Sequence, residues 1–337
     1  MKAILAVVLG LSVLSSCPKP PTPTPAPSPT PIPSPTPAPV RLSLLHREGP
    51  KFMAATGKVV NLQGYGGVCC VVGSGPDEFP SNGWPWIAEP WLKELAQYGG
   101  NYAHVRLGPP SPRQEPRSDM RPYADLPNGH PDLTKWNPAM WAKLNRLIDY
   151  ADSLGIYVEV DLIDAWGLKD PGNNAWNAKC DILQAAPKPL HQHFLEKVDI
   201  EIGHHRNVIY QIGNETFVCG STLAWELGVV DTIHIQEEKS GHPRHMMGTN
   251  GGIGKVDRHG DVDYITTHQD AAAEVNALNK PVTVNEYNPW IGVATFKTRL
   301  AQADKLGSNY FLWLSNASEP DRIAALEAIR EWRKTHP

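Results

Sequence analysis

The sequence has no hydrophobic run long enough to span a bilayer as a helix of the mature chain. The uncharged apolar stretch from Ala3 to Leu14 falls well short of the ~20 residues that a crossing requires. Excess charge of either sign is also missing. Thirty-one Lys and Arg against 35 Asp and Glu leave a formal net charge of −4, which points to neither nucleic acid nor an acidic surface as partner. No glycine-rich phosphate loop opens a helix: Gly64-Tyr65-Gly66-Gly67 has the glycines, but no helix starts directly behind it and no ribose-binding acid follows at the required spacing. No His-x-His ends the first strand-like run, which argues against a metal-dependent barrel hydrolase. His191/His193 and His204/His205 stand two or one residue apart on helices and share no face, so they read as solvated helix surface rather than metal ligands. Neither metal nor cofactor is expected.

Proline, by contrast, is abundant, and its placement organises the chain. Lys2 and the apolar run of Ala3–Leu14 have the length of a signal-peptide core, and Leu14-Ser15-Ser16-Cys17 resembles a bacterial lipobox. That resemblance implies a signal over 1–16, lipidation at Cys17 and an exported chain in a bacterial envelope, held to the membrane by lipid alone; an ordinary secretory signal would leave it secreted. From Pro18 to Pro39 proline alternates with Thr, Ser and Ala, so 17–39 forms neither helix nor sheet and extends as polyproline II. At ~3.1 Å per residue it would hold a domain up to ~70 Å from its anchor. The folded region is then 40–337, read as one domain and a monomer.

Eight nearly continuous apolar runs follow, as parallel strands covered on both faces require. They are Val59–Gln63, Tyr102–Leu107, Ile156–Leu162, Val208–Ile212, His245–Thr249, Val262–Thr267, Val282–Asn285 and Tyr310–Leu314. Segments of helical period lie between them at Trp91–Tyr98, Pro138–Leu154, His191–His204, Thr222–Lys239, Ala271–Asn279, Val293–Leu306 and Pro320–Thr335. The alternation predicts an α/β fold, a (β/α)8 TIM barrel, preceded by a β-hairpin that turns near Ala55-Thr56-Gly57.

Two strands end in an unusual way. The run Asn207–Glu215, "NVIYQIGNE", and the run Pro281–Tyr287, "PVTVNEY", both close on Asn-Glu. Barrel enzymes place their chemistry at the C-terminal ends of strands, and three strands around a ring of eight let Glu215 and Glu286 face each other across the mouth. Two carboxylates in that relation suit glycoside hydrolysis. By period two, Val282, Val284 and Glu286 share a strand face, so Glu286 would crown a layered apolar core.

With these motifs the folded region resembles clan A of the glycoside hydrolases, nearest the cellulase-like family five. "GPKFMAATGKVVNLQGYG" resembles that family's opening hairpin and first strand, and "GGNYAHVRL" its second strand with an arginine at Arg106. "YQIGNET" is similar to the fourth strand, with Asn214 beside an acid/base at Glu215. "TTHQD" places His268 at the sixth-strand histidine, "NEY" a nucleophile at Glu286, and "FLWLSN" a platform at Trp313. The resemblance implies a retaining mechanism on a β-linked glycan, with Arg106 keeping Glu286 ionised and Asn214 binding the sugar 2-hydroxyl. Ile163 stands where the family has a third-strand histidine, and Asp270 where a tyrosine often follows His268. Of the eleven tryptophans, Trp313 and Trp166 hold the positions best suited to stack on a sugar. The rival reading is a carbohydrate-binding surface lipoprotein that kept the barrel without turnover.

The cysteines other than Cys17 are Cys69, Cys70, Cys180 and Cys219, which allow three pairings or none. Cys180 follows the third strand and Cys219 the fourth. Neighbouring strands of a parallel barrel bring those loops side by side, so Cys180–Cys219 is the expected bridge; Cys69 and Cys70 stay unassigned.

Overall fold

The apolar runs close into a ring of parallel strands. The computed structural model describes residues 41–66, 88–108, 121–169, 176, 179–250, 259–267, 278–287, 298, 301, 309–313 and 319–335. The chain enters through β1 (Leu45–Glu48) and β2 (Lys51–Ala54), antiparallel to each other, then turns at Ala55–Gly57 into β3 (Val59–Val60). Gly57 takes φ 78° in that turn, a conformation that costs glycine little. The expected turn is therefore present, but it joins the second and third strands of a small sheet whose first reversal comes earlier, after Glu48.

The barrel follows as β4 (Gln63–Gly66), α1 (Ala88–Gln97), β5 (Tyr102–Arg106), a hairpin of β6 (Tyr123–Asp125) and β7 (Pro131–Trp136), and α2 (Pro138–Ser153). Next come β8 (Tyr157–Asp161), α3 (Ala165–Lys169), α4 (Pro189–Ile202), β9 (Val208–Gln211) and α5 (Leu223–Ser240). The last described elements are β10 (Met247–Thr249), β11 (Tyr264–Thr267), β12 (Val282–Tyr287), β13 (Asn309–Trp313) and α6 (Glu319–Thr335). The eight barrel strands run in the order β4-β13-β12-β11-β10-β9-β8-β5. At the remaining seam Asn101, just before β5, donates its amide to Gln63 O and accepts from Gln63 N on Oδ1, both at 2.9 Å. Those bonds join β5 to β4 and close the ring. The first barrel strand thus begins at Gln63, because Val59–Val60 pairs back onto β2 instead. The β6–β7 hairpin was not foreseen at all.

Two apolar layers sort the strand residues into inside and outside. Ala103, Val105, Val158, Val160, Val208, Tyr210, Met247 and Val284 pack with Leu92, Trp141, Phe194, Trp225 and Ile329 of the helices. Leu45, Phe52 and Leu62 instead pack with Tyr102, Tyr157, Ile209 and Tyr264. The hairpin therefore plugs the N-terminal end of the barrel. By alternation the inward positions of β5 and β8 are Tyr102, His104, Arg106 and Tyr157, Glu159, Asp161. The expected apolar interior is wrong at this level: His104, Glu159 and Asp161 are buried ionisable groups, and Gln211, Thr266 and Thr283 are buried polar neighbours on other strands.

Capping follows the sequence. Asn137 accepts from the amides of Ala139 and Met140 to start α2, with Pro138 directly behind it, and Thr222 accepts from Trp225 N to start α5. Of the histidines expected on a solvated helix surface, His191 and His205 depart from expectation. His193 is exposed, but His191 is buried and its Nδ1 accepts from Trp225 Nε1 at 3.2 Å. His205 is buried as well, 2.9 Å from Asn145 Oδ1 through Nε2. Helical spacing alone did not reveal that the neighbouring helix covers these rings. Among the described residues no helix is long and apolar enough to cross a membrane.

Candidate active site

Glu215 lies just beyond β9 on a turn that the sequence builds for it. At Gly213 a Cβ would come within 2.6 Å of Ile163 O and 2.8 Å of Thr216 Cγ2, so no larger residue fits between β8 and β9 there. Asn214 then bridges to the end of β8: its amide donates to Ile163 O at 2.7 Å, and Ala165 N donates to Asn214 O at 3.1 Å. Its side chain is held too, with Nδ2 donating to Asp164 Oδ1 at 3.0 Å. Glu215 itself takes φ 47°, ψ 39°, a left-handed conformation that a residue with a Cβ enters at a cost of ~1–2 kcal/mol. A single helical turn, Thr216–Cys219, follows, and Val218 N donates back to Glu215 O at 2.9 Å. Glu215 is half-buried and Asn214 almost fully buried.

Cys219, at the end of that turn, is joined to Cys180 by a disulfide. The bridge links the chain after β8 to the chain after β9. Cys17, Cys69 and Cys70 lie outside the described residues.

Glu286 is the fifth residue of β12, and β10 and β11 separate that strand from β9. Period two does not carry through to it. Val282 packs with Ile265, and Val284 with the helix-facing layer, so these valines do not line an inner core. The register then slips: Val284 pairs with Tyr310 but Tyr287 with Leu312, three residues against two. This bulge at Asn285–Glu286 breaks the alternation that would have tied Glu286 to the face of Val284. Bulges of this kind re-aim side chains beside active sites. The side chain of Glu286 lies outside the described residues.

Arg106 ends β5 with its side chain largely buried, and its Nε donates to Asp161 Oδ2 at 3.3 Å. The same oxygen lies 2.9 Å from His104 Nε2, and Glu159 Oε1 lies 3.5 Å from that nitrogen. Burial, opposed by His104 and reinforced by Asp161, pushes the Glu159 carboxyl up. Burial first and the Glu159 charge second push the Tyr102 and Tyr264 phenols well above their usual range. Donor atoms of His104, Glu159 and Asp161 lie within 4.8 Å of one another, close enough to surround a cation. Asp161 Oδ2, however, already serves both His104 and Arg106. Both carboxylates of this cluster thus already face basic side chains.

The other expected positions divide by place. Trp313 is the last residue of β13, paired with Gly66 of β4, and Trp166 is the second residue of α3; their side chains lie outside the described residues. His268 and Asp270 also lie outside them. Ile163 is fully buried in the helix-facing layer, so at the place of the family's histidine this chain offers a core side chain. Sequence reasoning missed His104, Glu159, Asp161 and Asp164. The signal was available in "AHVR" and "VEVD", where charges recur at period two inside apolar strands.

No family model matches the chain, and no curated protein does. Solved structures do. An endo-1,4-β-mannanase from Rhizomucor miehei is 13% identical with a TM-score of 0.60, covering 87% of this chain and 100% of that one. A glycoside hydrolase family 5 mannosidase from the same organism is 13% identical with a TM-score of 0.58, over 87% and 97%. The fold is that of the family 5 barrels. A protein from Bacteroides vulgatus assigned as a glycoside hydrolase gives a TM-score of 0.65 at 14% identity over 87% of this chain, which spans 61% of its length. These likenesses concern the (β/α)8 barrel, and at such identities they carry the fold alone.

Proposed function

We propose that this protein is a retaining glycoside hydrolase acting on a β-linked oligo- or polysaccharide. One observation carries the reading: a family 5-type barrel has Asn214-Glu215 directly after β9 and Glu286 near the end of β12, three strands around the ring. In a retaining enzyme the two carboxyl groups stand about 5–5.5 Å apart. Glu286, ionised, attacks the anomeric carbon while Glu215 gives its proton to the departing oxygen. Water then takes the place of the aglycone, Glu215 removes its proton, and the glycosyl–Glu286 bond breaks with overall retention. Arg106 supplies the positive charge that favours an ionised Glu286, and Asp161, itself held by His104, fixes its guanidinium. Asn214, clamped by Asp164, is available to the sugar 2-hydroxyl. His268, Trp313 and Trp166 complete the sugar site in this reading.

Mannanases and a mannosidase among the structural neighbours make β-1,4-linked manno-oligosaccharides the first substrates to test, with gluco- and xylo-oligosaccharides beside them. The remaining parts of the reading are export and a lipid at Cys17, with the Pro/Thr/Ser tract holding the barrel away from the membrane. The test is a panel of β-linked oligosaccharides incubated with the purified 40–337 region. New reducing ends from at least one member are expected. Binding without turnover across the panel would favour the carbohydrate-binding lipoprotein instead.

A further inference from the structure

Glu226 lies in the first turn of α5, where an acidic residue ordinarily faces water and the helix dipole. Here it is only 1% exposed. Its Oε1 accepts from Thr216 Oγ1 at 2.8 Å and from Ser221 Oγ at 2.7 Å, and its Oε2 accepts from Thr249 Oγ1 at 2.7 Å. One carboxylate therefore ties three pieces of chain to α5: the residue directly after Glu215, the far end of the turn, and the last residue of β10. Ser221 N also donates to Thr216 O at 3.2 Å, so both ends of the turn meet at this point.

The left-handed backbone of Glu215 needs such a tie. A residue with a Cβ stays in that conformation only where its surroundings over-determine it. On the β8 side Gly213, Asn214 and Asp164 provide the constraint, but they act before Glu215. After it, the side-chain bond of Thr216 to Glu226 is the first anchor to a neighbouring element. We infer that Glu226 is a positioning residue for Glu215: it holds the turn that aims the acid/base carboxyl, without itself touching substrate. The inference rests on the proposed glycosidase reading for its catalytic consequence, but not for its structural one.

The test compares wild type with Thr216→Val, which keeps the branched shape and removes one hydroxyl, and with Glu226→Gln and Glu226→Ala. Amide exchange is read over Val218–Ser221 in the folded protein. Loss of one hydrogen bond to a charged acceptor should speed exchange there about tenfold in Thr216→Val, with the barrel strands unchanged. Glu226→Ala should exceed this, and Glu226→Gln should restore part of it, since an amide oxygen still accepts. Unchanged exchange across Val218–Ser221 in folded Thr216→Val would overturn the inference, as would changes spread evenly over the barrel. The catalytic consequence is read separately. On glycosides of poor leaving groups kcat should fall at least about tenfold with KM nearly constant, while activated aryl glycosides suffer less, because only the former need a well-aimed acid. Equal losses on both substrates would contradict positioning of the acid. A wild type inactive on every glycoside, with the exchange result intact, would sink the glycosidase reading and leave the tie between Glu226 and the turn standing.

Discussion

The buried His191 makes the fold sensitive to mild acid. Its ring is 1% exposed, lies 5.0 Å from the Trp176 ring centroid and accepts from Trp225 Nε1 through Nδ1. That bond requires an unprotonated Nδ1. Burial, with a smaller effect from Lys188, lowers its pKa to about 4. An unfolded histidine titrates near 6.5, so the unfolded chain binds the proton first as pH falls. Stability is therefore full above about pH 6.5 and is lost as pH drops toward 4, below which both states are protonated. Integrating between pH 7 and pH 5 gives a loss of about 2 kcal/mol from this one ring. His191→Asn can keep an acceptor for Trp225 at the same position without titrating. Urea unfolding of both proteins at the two pH values should show wild type losing about 2 kcal/mol more than the variant, while other titrating groups cancel in the difference. Parallel losses would refute the reasoning. His205, lowered to about 4 by burial first and His204 and His245 after it, adds a second loss of the same sign that remains in the variant.

Other outcomes follow from the same structure. Opening the Cys180–Cys219 bridge, whose ends are 39 residues apart in sequence, should cost about 4 kcal/mol in the chain-entropy model, read as the change in unfolding free energy with and without reductant. Glu159 has its carboxyl pushed up, so the stability linked to its protonation is present below the ordinary carboxylate range and fades as pH rises through the folded pKa. Glu159→Gln should accordingly gain in Tm relative to wild type as pH is raised from 5 to 8; a constant difference would reject the shift. Gly213→Ala puts a methyl 2.6 Å from Ile163 O and should destabilise by about 1–3 kcal/mol while also lowering turnover, since the backbone that must move leads directly into Glu215.

How much of this was legible in the sequence depended on which physical rule governed each element. The barrel was legible because parallel strands covered on both faces give apolar runs, and seven of the eight described barrel strands overlap those runs closely. The exception, β4, was displaced because β3 is apolar too, and pairing rather than composition decides which piece joins the ring. The place of Glu215 was legible from "GNE", since an apolar run that breaks at a glycine marks a strand's end, but its left-handed backbone was not. The face of Glu286 was not, because a bulge cancels period two and leaves no local mark in the sequence. Nor was Glu226, whose position in a first helical turn has an ordinary explanation until tertiary packing shows Thr216, Ser221 and Thr249 converging on it.

The central claim is that Glu286 and Glu215 carry out a double displacement, and azide tests it most directly. With an activated aryl β-glycoside of a sugar the wild type cleaves, Glu215→Ala should still complete the first step, accumulate a glycosyl-enzyme and release a β-glycosyl azide when azide is added. Glu286→Ala should form no such intermediate, and azide attacking directly should give the α-product. Proton NMR of the anomeric centre distinguishes the two. A β-azide from Glu215→Ala with the covalent mass on the Val282–Tyr287 peptide is the predicted result; inverted product from wild type, or wild-type turnover in both alanine variants, would contradict it.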